Sequence, residues 1–160
     1  MLEVREILQD SKDKVVAFIT ESWGIPLISY RGTPHYIDKL PGYFIEKDNN
    51  IVGAITYFIN DKNECEIVSI DSALENIGIG SKLINTVIEK AKSLNCCRVW
   101  LITTNDNANA IKFYQKRGFN MSALYLNEVE KSRKVKPQIP LYGIDNIPVL
   151  HEIEFEIKLN

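Results

Sequence analysis

Gly78 and Gly80 stand two residues apart in the run Glu75-Asn76-Ile77-Gly78-Ile79-Gly80-Ser81-Lys82-Leu83, between an apolar stretch and a series of apolar residues at helical spacing. Glycine permits a tight turn and close approach of the backbone to a ligand. The first amides of a helix have no acceptor within it and point outward, with the helix dipole behind them. The chemistry this arrangement favours is the binding of an anion, a phosphate carried by a cofactor-sized molecule. A dinucleotide fingerprint does not fit, because it wants a third glycine where Leu83 stands. A nucleoside-triphosphate loop does not fit either, since Gly80 is followed by Ser81-Lys82 and not by Lys-Ser.

Other reactive side chains are sparse. Two histidines, His35 and His151, exclude a histidine-rich metal centre, and no metal is expected. The three cysteines, Cys65, Cys96 and Cys97, are odd in number with one adjacent pair, which suits neither a disulfide framework nor a closed zinc site. They read as reduced, small apolar side chains. Glu64 and Glu66 flank Cys65, and their charge disfavours a thiolate there.

The elements that position these residues follow from hydrophobic periodicity. Residues 2–7 read as a strand, followed by a helix carrying Val15, Val16, Phe18, Ile19 and Trp23, with Asp10-Ser11 available as its cap. Gly24 and Pro26 close that helix, and Gly32, Pro34 and Pro41 make the next stretch an irregular or partly helical segment. Residues 42–46, 51–59 and 64–70 form three antiparallel strands joined by polar turns, with Gly53 marking a bulge or a close backbone approach. Ile79, Leu83, Ile84, Val87, Ile88 and Ala91 then share one helical stripe, residues 97–102 give a strand, and residues 107–117 give a second helix ending at Gly118. This βαβα segment makes its two strands parallel through a right-handed crossover. A strand over 119–126, a charged helix over 128–135 and a last strand over 153–159 complete the chain. In that last strand Ile153, Phe155, Ile157 and Leu159 face inward while Glu152, Glu154, Glu156 and Lys158 face water.

The 160 residues fit one domain over 1–160, and 19 Lys and Arg against 21 Asp and Glu leave a net charge of -2. That balance argues against nucleic acid as a partner. No apolar stretch reaches the length of a membrane span and no signal peptide is visible, so no membrane association and a cytoplasmic location are expected.

The sequence resembles the GNAT N-acetyltransferases, which bind acetyl-coenzyme A. The family pattern Gln/Arg-x-x-Gly-x-Gly/Ala falls on residues 75–80, with Glu75 in place of Gln or Arg. A downstream element falls on Asn107-Ala108-Asn109-Ala110-Ile111-Lys112-Phe113-Tyr114-Gln115-Lys116-Arg117-Gly118-Phe119. The resemblance covers about residues 1–126. It implies an α/β (α+β) three-layer fold with a mixed, mostly antiparallel twisted sheet, parallel splayed fourth and fifth strands, and flanking helices.

It also implies an acetyltransferase that passes an acetyl group from acetyl-CoA to a primary amine of a small molecule or peptide, an N-terminus or a lysine, by direct attack in a ternary complex. The alternative is a non-catalytic acyl-CoA sensor or interaction module. Cofactor contacts are then expected from the backbone near Ser69, Ile70 and Asp71, from the amides of Gly78, Ile79, Gly80, Ser81 and Lys82, and from Asn107, which also suits a helix cap. Glu75, repelled by phosphate, is expected to point away. Tyr114 is the expected acid for the departing thiolate, and Glu66 resembles the glutamate some members carry on this strand as a base. The proton acceptor stays open between Glu66, Glu64 and water. The acceptor pocket of the family falls near Tyr30, Arg31, His35, Tyr36, Tyr142 and His151, and a homodimer is expected.

Overall fold

The computed structural model describes residues 2–160. In chain order the elements are β1 (Val4–Glu6), α1 (Lys12–Trp23), β2 (Leu27–Tyr30), β3 (Thr33–Tyr36), β4 (Gly42–Lys47), β5 (Asn50–Ile59), β6 (Glu64–Ser72), α2 (Ile79–Ser93), β7 (Arg98–Thr104), α3 (Ala108–Lys116), β8 (Asn120–Tyr125), α4 (Val129–Val135) and β9 (Glu152–Lys158). They divide into two compact units. One contains residues 2–28, 35–99 and 159–160, and the other residues 29–34 and 100–158.

The first unit is built on an antiparallel sheet in the order β1-β4-β5-β6. The β4–β5 hairpin is tight because Asp48 and Asn49 both take positive φ, 51° and 63°, in the two-residue turn that matches strand twist. After β5, Asn60 Oδ1 accepts from the amides of Lys62 and Glu64, both at 3.0 Å, and so shapes the turn into β6. α2 packs on this sheet through Ile79, Leu83, Ile84, Val87 and Ala91, all buried, as the helical stripe predicts. α1 packs on β5 and β6 and buries Val15 and Ile19. Ser11 precedes it without capping: its hydroxyl turns back to Leu8, accepting from the amide at 2.9 Å and donating to the carbonyl at 3.1 Å.

Gly53 combines both features expected of it. Ile45 pairs with Gly53 and Glu46 with Ile51, so Val52 is the extra residue of a bulge. A Cβ at Gly53 would lie 2.3 Å from Ile79 Cγ2, at the first turn of α2. Ile79 is wholly enclosed and cannot withdraw. Gly53→Ala is therefore expected to lower stability by about 1–3 kcal/mol, the usual cost of overpacking, read as a reduced urea midpoint at unchanged m-value. An unaltered midpoint would mean that α2 can move aside freely.

The segment expected to be irregular is instead a two-stranded hairpin, β2 with β3. Its turn is made by Arg31 and Gly32, with φ of 53° and 72°. Gly32 thus serves a hairpin turn where it reads as an interruption, and Pro34 sits in a short outer strand.

In the second unit β9 lies between β7 and β8, with β8 and β9 antiparallel. The expected water-facing glutamates of β9 are corrected here. Glu152 is 1% exposed and Glu154 is also buried. Glu152 accepts from the Arg31 amide at 2.8 Å and from Ser132 Oγ at 3.3 Å, and Glu154 accepts from Ser122 Oγ at 2.6 Å and Tyr125 Oη at 2.9 Å. Both carboxylates are buried with hydrogen-bond donors, which is how a protein tolerates them.

Burial raises the Glu152 pKa above the ordinary carboxylate value, against the opposing effect of its two hydrogen bonds. A raised folded pKa contributes stability below the unfolded pKa that is lost as pH rises through the folded one. Glu152→Gln removes that titration and keeps the shape. The wild-type protein is expected to lose stability relative to Glu152→Gln as pH climbs above the ordinary glutamate pKa, measured by urea midpoints at each pH. A difference that does not vary with pH would contradict the assignment.

Candidate active site

The centre of β6 carries the most reactive arrangement of the first unit. Glu66 is 6% exposed, and its cross-strand partner on β5 is Phe58. Its Oε2 lies 3.4 Å from Nε2 of His35, whose ring leans on Phe58 at 5.4 Å between centroids. Two residues earlier on the same face, Glu64 accepts from Asn60 Nδ2 at 2.8 Å and from Arg98 Nε at 3.1 Å. Those bonds hold the Glu64 carboxyl below the ordinary range, with Asn60 the largest cause. The two glutamates are therefore unequal: Glu64 is held as an anion by Asn60 and Arg98, and Glu66 lies beside the imidazole of His35.

A second bulge lies just beyond Glu66. Thr56 pairs with Ser69 and Tyr57 with Ile67, which leaves Val68 as the extra residue of β6. A bulge leaves its extra residue out of the ladder and re-aims the backbone. Ser69, Ile70 and Asp71 follow in register with Thr56, Ile55 and Ala54. Asp71 accepts from Trp23 Nε1 at 2.9 Å, a partner that local sequence patterns do not reveal, and burial raises its pKa against that bond. Cys65, between the two glutamates, is buried, and its thiol is pushed up to about 12, first by burial and then by Cys96 and Glu66. It is a poor nucleophile at neutral pH.

The glycine run forms the entry to α2. Gly78 is the N-cap in the left-handed region, φ 81°, and the preceding Asn76 has φ 60°. The helix ladder opens with the Lys82 amide donating to Gly78 O at 3.0 Å. This commits the Lys82 amide to the helix, while its ammonium donates to Leu2 O at 2.9 Å. The amides of Ile79 and Gly80 lie ahead of that first rung, on the side an anion approaches. No acidic residue occupies the first turn, and Glu75 is exposed. A phosphate-bearing cofactor fits this end of the helix.

In the second unit, Asn107 caps α3, its Oδ1 accepting from the Ala110 amide at 3.1 Å. Tyr114 is the buried residue of α3, its ring packed edge-on against Phe113 and Phe119 and tilted against Phe155. Asp106, to which no sequence pattern points, is buried and accepts from Thr104 Oγ1 at 2.5 Å and the Ile144 amide at 3.2 Å.

The residues expected around the acceptor separate into three situations. His35 joins Glu66. Arg31 lays its guanidinium 3.8 Å from the centroid of the Tyr125 ring, and His151 Nδ1 accepts from the Asn127 amide at 2.9 Å. Tyr36 and Tyr142 are exposed, Tyr142 in an isolated bridge to Pro148, and Tyr30 is half-buried in β2. Among the described residues no group of three or more His, Cys, Asp or Glu converges as a metal cage, and no helix is long and apolar enough to cross a membrane.

Comparison with known proteins places this chain in a family. Residues 2–119 match the model of the acetyltransferase (GNAT) family. The chain is 44% identical over 146 residues to the uncharacterized protein YxbD of Bacillus subtilis, covering 91% of each. Its fold is similar to an IAA acetyltransferase from Bacillus cereus, with TM-score 0.78 and 19% identity over 99% of this chain and 100% of that one. It is also similar to a Bacillus subtilis acetyltransferase solved in complex with CoA, with TM-score 0.72 and 18% identity over the full length of both. The chain belongs to the GNAT acetyltransferase family, and its fold is the mixed-sheet α/β class that the sequence predicts.

Proposed function

We propose that residues 1–160 act as one acetyltransferase domain that passes an acetyl group from acetyl-CoA to a primary amine of a small molecule or peptide by direct attack in a ternary complex. The observation that carries this reading is Glu66, a buried carboxylate beside a strand bulge, on a strand whose other glutamate is already committed to Asn60 and Arg98.

Acetyl-CoA, when bound, supplies the acyl thioester. The amides of Gly78, Ile79, Gly80 and Ser81 would hold its phosphate at the N-terminus of α2, where the dipole favours negative charge. The backbone of Ser69, Ile70 and Asp71 would hold its arm as an added strand is held. Glu66 would take a proton from the substrate ammonium and leave the electron pair on nitrogen for attack on the acyl carbon. Tyr114 would give its phenolic proton to the departing sulfur, and the proton still in excess on nitrogen would restore the phenol through solvent. Cys65 takes no part, because a thiol held so far from ionisation cannot compete with an amine.

Isothermal titration with acetyl-CoA tests the cofactor assignment. One site per chain is expected, with affinity that falls as salt is added, as a phosphate contact requires. Absence of binding would overturn the reading.

A further inference from the structure

We propose that His35 is a positioning residue for Glu66: its Nε2–H donates to Glu66 Oε2 and holds the carboxylate so that Oε1 faces the incoming amine. The proposal rests on the acetyl-transfer reading above and adds to it a role for the β2–β3 hairpin.

The geometry supports it from several directions. The two side chains lie 3.4 Å apart, and both are close to fully enclosed, 12% and 8% exposed. A contact made in such surroundings is stronger than at the surface, because little water competes for it. His35 is also held from outside the pair. Its ring lies 5.4 Å from that of Phe58, the register partner of Glu66 on β5. Pro34 restricts the backbone before it, and after it the Ile37 amide donates to Pro26 O at 3.1 Å, tying the end of β3 to the start of β2. Glu66 is thereby oriented by a group whose own position is fixed, the arrangement that gives a base its geometry.

The alternatives nearby are occupied. Arg98 and Asn60 bind Glu64, and Trp23 binds Asp71. Among the described residues, His35 is the side chain whose nitrogen lies within 4 Å of the Glu66 carboxylate, Nε2 to Oε2 at 3.4 Å.

The test has two parts. The first needs no acceptor. The chain holds two histidines, so the imidazole signals of His35 can be assigned by their loss in His35→Gln. Nitrogen-15 spectra of the whole protein at neutral pH should show a proton on His35 Nε2, and Glu66→Gln should move its resonances while leaving those of His151 in place. The Nδ1–H tautomer, or no response to Glu66→Gln, would overturn the proposal.

The second part is kinetic, with an amine found to be acetylated. His35→Ala should lower kcat about 10- to 100-fold, with the KM for acetyl-CoA within about threefold, and His35→Gln, which retains an N–H donor, should recover most of the loss. In a Glu66→Gln background, His35→Ala should change kcat by less than about twofold, because a residue acting through Glu66 has nothing left to orient. Equal fold-losses in both backgrounds, or a rise in KM at constant kcat, would assign His35 to packing or substrate contact and overturn the proposal. Failure of the acetyl-transfer reading looks different: the wild-type protein binds no acetyl-CoA or acetylates no amine, whatever the spectra of His35 show.

Discussion

Glu66→Gln is expected to slow acetyl transfer by roughly 100- to 10,000-fold, the range that general base catalysis contributes, while acetyl-CoA affinity stays within a few-fold. Glutamine keeps the length and planarity of the side chain, so the strand register with Phe58 and the approach to His35 are preserved. What disappears is the ability to take a proton from an ammonium. A lysine-like amine at neutral pH is almost wholly protonated, as a reference pKa near 10.4 implies, a peptide N-terminus with a reference pKa near 8 is mostly so, and the lone pair is absent until that proton leaves. The same substitution at Glu64 has a smaller effect on rate, because Asn60 and Arg98 already hold that carboxylate below the ordinary range and make it the weaker base. The measurement is single-turnover acetyl transfer under saturating cofactor. A Glu66→Gln rate equal to the wild type would remove Glu66 from the mechanism.

Tyr114→Phe is expected to lower the transfer rate by roughly 10- to 1,000-fold. The substitution removes a hydroxyl and keeps the ring, which packs against Phe113, Phe119 and Phe155 and is 8% exposed. Fold and stability should therefore change little, which separates this variant from one that acts by collapse of the core. The loss arises because a departing thiolate, with reference pKa near 8.5, gains from a donor as its charge develops, and a phenol is protonated at neutral pH. The effect belongs in kcat and not in acetyl-CoA affinity. An unchanged kcat, measured where chemistry limits turnover, would leave Tyr114 as a core aromatic only.

The parts of this protein that were legible in its sequence are those whose cause is local. β4, β5 and β6 announce themselves by apolar, β-branched runs with polar turns between them, and α2 by the spacing of Ile79, Leu83, Ile84, Val87 and Ala91. The left-handed N-cap at Gly78 and the cap at Asn107 follow from residue type and place. Gly53 was readable as an exception to good strand composition, although Ile79 as its neighbour was not.

What escaped depends on partners distant in the chain. β2 and β3 hide behind Gly32, Pro34 and Pro41, because the same residues serve a loop or a hairpin turn equally well. Alternation in β9 assigns Glu152 and Glu154 to water. Their burial depends on donors supplied by Arg31, Ser132, Ser122 and Tyr125, from 20 to 121 residues away. The difference between Glu64 and Glu66 is only partly of this kind: Asn60, the larger influence on Glu64, is a local neighbour, whereas Arg98 beside Glu64 and His35 beside Glu66 come from distant elements.

The most direct test of acetyl transfer combines acetyl-CoA with the purified protein and a panel of small amines, amino acids, aminoglycosides and peptides. Release of free thiol is followed with time, and the products are weighed by mass spectrometry. The account predicts that at least one primary amine raises thiol release well above the rate without acceptor, and that the same amine gains one acetyl group on nitrogen. Tight binding of acetyl-CoA with no acceptor-dependent thiol release and no acetylated product across the panel would contradict it, and would leave the chain as an acyl-CoA sensor.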